Sequence, residues 1–239
     1  TALWRAFRDR WVTADARQRE RLGEPVEIDC PEPADAHRRL HHRTLAFREP
    51  ILAAAMDVAG AVRGAIDGGA LALTLGGDHA LAFGTVAGAA AATERLGLIW
   101  LDTHPDLNTP ATSASGHMHG MPLGTASGLD GRALPELDDV AGGQMLEPGD
   151  IAMLGVRDID ASERGVILER GIWALSMEEW TDAGILAGLD RALSHLAGRG
   201  VTAVPVSFDL DALDPRVLPG TGTKAPGGLT YREASQVLR

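Results

Sequence analysis

The feature that most restricts this chain is an alternation of short apolar runs with segments of helical length. The runs are residues 70–75, 98–101, 151–154, 171–175 and 201–208, four to eight residues each, and each gives way to Gly or to a polar side chain. Several show no in–out alternation, which is how strands covered on both faces read. Between them, residues 45–66, 81–95, 162–169 and 177–197 carry helix-forming sequence, and 231–239 begins another helix. Strands and helices in turn predict a mostly parallel sheet with crossover helices, and the handedness of such crossovers narrows this to a doubly wound α/β sandwich. Aromatic residues make up only 4% of the chain, which suits close packing of small side chains between helix and sheet. Residues 1–239 read as a single domain cut at both ends, because the chain opens on Thr1 and stops at Arg239 inside a helix that has no cap or breaker. Three stretches are long for simple connections, 103–125, 130–150 and 211–230, and loops of that length tend to carry function. Residues 128–149 read as surface loop.

Charge and composition remove several function classes. With 22 Lys+Arg against 33 Asp+Glu the net charge is −11, the wrong sign for a nucleic-acid partner. The longest apolar stretch, 80–92, falls short of the ~20 residues a bilayer span needs, so no membrane is expected. Cys30 is alone, which excludes an intrachain disulfide and favours the cytoplasm.

In an open α/β sheet, ligands sit outside the carboxyl ends of the strands. The residues that follow the runs are therefore the informative ones. Run 70–75 ends in two glycines, Asp78 and His79. Run 98–101 leads into Asp102, His104 and Asp106, spaced i, i+2 and i+4, so that an extended chain would present all three on one face. Run 201–208 leads into Asp209 and Asp211, while Asp214 before Pro215 reads as a turn former. Were these ends neighbours, Asp102, Asp106, Asp209 and Asp211 would bring four carboxylates into one small volume, where they cannot all be ionised without counter-charge. Lys and Arg are sparse in these segments, and Lys224 and Arg157 are the candidates for counter-charge. Two divalent cations would balance the charge, with two imidazoles completing the shells. Carboxylate oxygen with some imidazole suits Mn²⁺ or Mg²⁺, and Co²⁺ or Zn²⁺ are chemically admissible. Two such ions ~3.5–4 Å apart can hold a bridging hydroxide, which is hydrolytic chemistry. Residues 108–120 add neutral donors suited to a carboxylate, and His119 there is a candidate proton shuttle. Asp158 and Asp160 could accept from an ammonium group, or Arg157 and Asp158 could form a plain ion pair. His37, His41, His42 and His195 read as surface or helix residues.

Four segments then carry a resemblance: GGDHA at 76–80, DTHPD at 102–106, SGHMHG at 115–120 and SFDLDALDP at 207–215. In this order the chain resembles the ureohydrolase superfamily of arginases, agmatinases and formiminoglutamases. Residues 107–120 and 220–234 are similar to the arginase branch. The resemblance implies an arginase-like α/β fold, a three-layer sandwich with a mostly parallel central sheet, here without its first and last strands. It implies two Mn²⁺ per chain, one held by His79, Asp102, Asp106 and Asp209 and the other by Asp102, His104, Asp209 and Asp211. His119 and Asp106 would be catalytic. Asn108, Ser113 and Ser115 would bind an α-carboxylate, Asp160, with Asp158 and Glu163 behind it, would serve the α-amino end, and Thr223 would line the metal pocket. The implied activity is hydrolysis of L-arginine to L-ornithine and urea by a metal-bridging hydroxide, in a cytoplasmic homo-oligomer, a trimer or hexamer. Another guanidino compound as substrate, a non-catalytic metal-binding homologue and a one-zinc deacetylase are the alternatives. Departures from the resembled pattern are Thr103 in place of Ala, His117 in place of Asn, and Ala80 in place of Ser. The glutamate that pairs with the guanidinium in that family sits on a later strand, which this sequence does not reach.

Overall fold

The computed structural model describes residues 24–30 and 45–239. His37, His41 and His42 lie outside the described residues. Helix α1 (Arg48–Asp67) buries Ala55, Val58, Ala59 and Val62, one face at helical spacing, against α2 (Leu81–Ala91). The two helices approach closely because α2 presents Gly84 and Gly88 at the crossing. A Cβ on Gly88 would lie 2.5 Å from the Ala59 carbonyl oxygen and 2.9 Å from its Cα. Since this neighbour is backbone and cannot swing away, Gly88→Val is expected to lower the free energy of unfolding by about 1–3 kcal/mol or more, read by urea denaturation.

Among the described residues four parallel strands form the sheet: β1 (Leu98–Leu101), β2 (Ile151–Val156), β3 (Trp173–Ser176) and β4 (Val206–Phe208), in the order β3-β2-β1-β4. Leu101 faces Leu154 on one side and Phe208 on the other, so the strand ends that matter are in register. The period-2 rule divides the core. Leu98, Trp100, Ile151 and Met153 pack with α1, α2 and the short helices α3 (Pro122–Ala126) and α4 (Pro135–Ala141). Ile99, Leu101, Ala152 and Leu154 pack with α6 (Met177–Ala183), α7 (Ile185–Gly198) and α8 (Tyr231–Val237). Helices on both faces of a parallel sheet make the expected α/β sandwich. The crossover from β2 to β3 runs through α5 (Ala161–Arg170), which starts with an Asp160/Glu163 capping box and stops at Gly171, φ 66°.

At the amino ends of the strands, Arg95 and Arg199 converge on Asp150, at 2.9 and 2.6 Å. Burial raises the cost of that charge, yet the two guanidiniums outweigh it and hold the carboxyl below its ordinary value.

Four sequence expectations change. Residues 70–75 form no strand: no partner runs beside them among the described residues, and Leu71 and Leu73 are exposed. Run 201–208 narrows to β4, with a single bridge from Ala203 to Leu96, because Pro205 has no N–H for the ladder. The single helix expected over 177–197 is two, broken at Gly184 (φ 86°, ψ 134°), a conformation that favours glycine. Residues 128–149 are not mere surface: Leu134, Leu137 and Leu146 are buried in the core beneath α2.

Candidate metal centre

Three loops at the carboxyl side of the sheet are bent by one device. In each, an aspartate accepts a hydrogen bond from the main-chain N–H two residues on: Asp78 from Ala80, Asp102 from His104 and Asp209 from Asp211, at 2.7–2.8 Å. Because β1 and β4 are neighbours, Asp102 and Asp209 leave the sheet side by side, and the Asp209 N–H donates to the Leu101 carbonyl.

The imidazole of His79 enters this space. Its Nδ1 lies 2.8 Å from Asp102 Oδ2, 3.2 Å from Asp106 Oδ2 and 3.1 Å from Asp209 Oδ2. On the other side of Asp102, His104 Nδ1 lies 3.5 Å from Asp102 Oδ1 and 3.2 Å from Asp211 Oδ2. Two ligand groups result, His79/Asp102/Asp106 and Asp102/His104/Asp211, and Asp102 belongs to both. Asp209 falls in neither group but joins the cluster through His79 Nδ1, so the six expected ligands lie together. The expected extended comb is not how they meet. β1 ends at Leu101, the chain curls around the Asp102 carboxylate, and Asp106 takes a left-handed conformation, φ 49°. That conformation is uncommon outside glycine and costs some strain. It is held from above: the N–H groups of Leu123 and Gly124, at the start of α3, both donate to the Asp106 carbonyl.

Trp100 is a supporting residue that motif reasoning missed. Fully buried, it stacks on His79 with ring centroids 4.1 Å apart and planes 7° from parallel, and its Nε1–H donates to the His104 carbonyl. One indole therefore steadies both histidines. The available signal was its position, one strand step before Leu101. Ser207 does similar work, its Oγ 2.9 Å from His79 Nε2.

The cluster is electrostatically loaded. Burial alone would discharge His104, but Asp102 and Asp211 outweigh it and lift its imidazole to about 10. His79 is likewise raised well above its ordinary value: burial opposes its charge, and Asp102, Asp106 and Asp209 prevail. Burial, reinforced by the Asp102 charge, pushes the Asp106 carboxyl up to about 7 even with His79 beside it. Asp211 goes the other way. Despite burial, His104 draws it down to about 2.

The remaining candidates ring the cluster. Asn108 is buried, donates to Asp160 Oδ2 (3.1 Å) and accepts from Thr112 Oγ1 (2.9 Å). Ser113 and Ser115 sit in the following loop and accept from the N–H groups of Gly116 and His117. Glu163 is buried and accepts from Leu107 and Asp160, tying the β2 exit to the loop after β1. Asp158 is exposed, its Oδ2 3.8 Å from His104 Nε2. Thr223 donates to Asp211 Oδ2 at 3.1 Å. His119, half-exposed, lies with Nδ1 3.4 Å from Asp78 Oδ2, and that contact raises its pKa. Arg157 does not pair with Asp158; its donors go to main-chain carbonyls. Asp214 is the turn former expected, bonded to Arg216 and to the Gly227 N–H. His195 lies in α7, bonded to the Gly149 carbonyl and stacked on Trp173.

This arrangement has relatives. A family model described as the Arginase family matches residues 26–239. The arginase of Glaciozyma antarctica is 38% identical over 228 residues, 94% of this chain and 64% of its own length. This chain therefore spans about two thirds of that relative. The solved arginase of Bacillus caldovelox superposes with a TM-score of 0.80 at 37% identity, over 88% of this chain and 69% of its own. The arginase of Entamoeba histolytica in complex with L-ornithine gives 0.78 at 28% identity, with the same coverage. A match over almost the whole chain, on a fold that brings together the side chains the motifs singled out, leaves one assignment: the chain belongs to the arginase family.

Proposed function

We propose that this chain carries the catalytic centre of a ureohydrolase that converts L-arginine to L-ornithine and urea with two divalent cations, Mn²⁺ foremost. His79, Asp102, Asp106 and Asp209 would hold one ion. Asp102, His104, Asp209 and Asp211 would hold the other. The observation that carries this reading is an unsatisfied one. His79 Nδ1 and Asp102 Oδ2 are buried 2.8 Å apart, yet neither has a hydrogen-bond partner. Buried polar groups are almost always paired, so such a couple fits a cation between them. In the neutral tautomer whose Nε2–H donates to Ser207 Oγ, the Nδ1 lone pair would be free to ligate.

When bound, a pair of dications lowers the pKa of a water and polarises an electrophilic carbon. This chain's residues do the rest. Asn108, Ser113 and Ser115 would receive the α-carboxylate through neutral donors, and Asp158 and Asp160 the α-ammonium. His119, its Nδ1 turned to Asp78, keeps Nε2 for proton transfer to the departing amine. L-Ornithine bound to the Entamoeba histolytica arginase is the product this reaction requires. The proposal extends to a cytoplasmic homotrimer or homohexamer on the family resemblance; among the described residues no helix is long and apolar enough to cross a membrane.

The test is urea release by the full-length, Mn²⁺-loaded protein from L-arginine, agmatine and 4-guanidinobutyrate. Preference for L-arginine supports the proposal, preference for another guanidino compound redirects the substrate, and no urea from any of them overturns it.

A further inference from the structure

The six ligands are not supported equally. Asp211 is tied to Thr223, Asp209 and His104, and three further bonds reach it from two residues outside the ligand set. Thr103, fully buried, donates its Oγ1–H to the Asp211 carbonyl at 2.7 Å and its N–H to Asp211 Oδ1 at 3.3 Å. Arg157 Nη2 donates to the same carbonyl at 2.9 Å. That guanidinium also reaches the carbonyls of Gly155, Ala212 and Ala225. The Thr103 carbonyl in turn accepts the N–H groups of Arg157 and Asp158. Thr103 is therefore a junction where the exits of β1, β2 and β4 meet. None of the Thr103 and Arg157 bonds touches His79, Asp106 or Asp209.

We infer that Thr103, backed by Arg157, is a positioning residue for one half of the centre, fixing the Asp211 loop so that the Asp102/His104/Asp211 group is preformed for its cation. This rests on the two-cation reading above. The physical reason is local. A three-residue 3-10 turn, Leu210–Ala212, carries Asp211, and so short a turn has little stiffness of its own. Two donors on one carbonyl stop the turn from rotating its carboxylate away. Outer contacts of this kind typically change metal affinity 10–100-fold.

The test uses the full-length protein stripped of metal and titrated with MnCl₂ by calorimetry, repeated with CoCl₂ while the visible absorption of bound Co²⁺ is followed. Thr103→Val keeps the shape and removes the hydroxyl; Thr103→Ser keeps the hydroxyl. The expected result is two binding steps in the unsubstituted protein. In Thr103→Val one step should weaken by about 10–100-fold with a changed Co²⁺ spectrum for that step only, and Thr103→Ser should restore it. Two unchanged steps in Thr103→Val, or equal weakening of both, would overturn the inference while leaving the two-cation reading intact. Absence of two steps in the unsubstituted protein would overturn both.

Discussion

Asp102→Asn is expected to abolish the centre: bound Mn²⁺ falls from two ions per chain to at most one, and urea release falls at least about a thousandfold. Asp102 is 1% exposed and is the side chain common to both ligand groups. Asparagine preserves its volume and keeps an Oδ1 to accept the His104 N–H, so the curl of the loop survives. What is lost is the charge that both cations share. Metal content by plasma emission and urea by colorimetry read the two effects. Asp214→Asn is the matched control. That carboxylate is buried less deeply and bonds only to Arg216 and Gly227, so its loss should lower stability and leave two ions bound. Two ions and near-normal turnover in Asp102→Asn would show that the shared charge is not what holds the centre.

Removing the metal should destabilise the protein strongly, and more so as pH rises. Each cation held at about a hundred times its dissociation constant stabilises by about 2.7 kcal/mol, so two contribute about 5 kcal/mol, equivalent to a fall of about 10–20 °C in Tm on chelation for a chain of this size. The pH dependence follows from the metal-free cluster. His104, raised from 6.5 to about 10, and Asp106, raised from 3.8 to about 7, both bind protons more tightly folded than unfolded. Their contribution is fully present at low pH and is lost as pH rises, for Asp106 between 3.8 and about 7 and for His104 between 6.5 and about 10. Raised His79 and Asp102 act in the same direction. Asp211, lowered to about 2, has the opposite sign, but its window closes near 3.8. Bound cations replace those protons, so the loaded protein escapes the loss and the gap in Tm widens from acid to alkaline pH. Calorimetric scans with and without chelator measure it; a gap that is absent, or that narrows with pH, would contradict the prediction.

How much of this was readable from the chain varies by residue. The clustering of the six candidate ligands was legible because Asp and His at the end of an apolar run have few other reasons to be there, and the six side chains do lie together. The way they meet was not. Spacing of i, i+2 and i+4 predicts one face only while the chain stays extended, and Asp102 turns it by capturing the His104 N–H. Nor could periodicity show that Asp106 is left-handed, since that depends on α3 lying over it. Residues 70–75 have the composition of a strand, but a strand is a relation between segments, and among the described residues no partner lies alongside. Trp100 read as an ordinary core residue because stacking on His79 is a contact between distant segments. The break at Gly184 was visible as a glycine in a helical pattern, but only its positive φ makes it a boundary.

The central claim is that side chains from three loops converge on a pocket suited to two cations that share Asp102. The most direct measurement is anomalous diffraction at the manganese absorption edge from crystals of the Mn²⁺-loaded, full-length protein. Two peaks are predicted on either side of the Asp102 carboxylate, one beside His79 and one beside His104. A single peak, no peak, or peaks away from these residues would contradict the account.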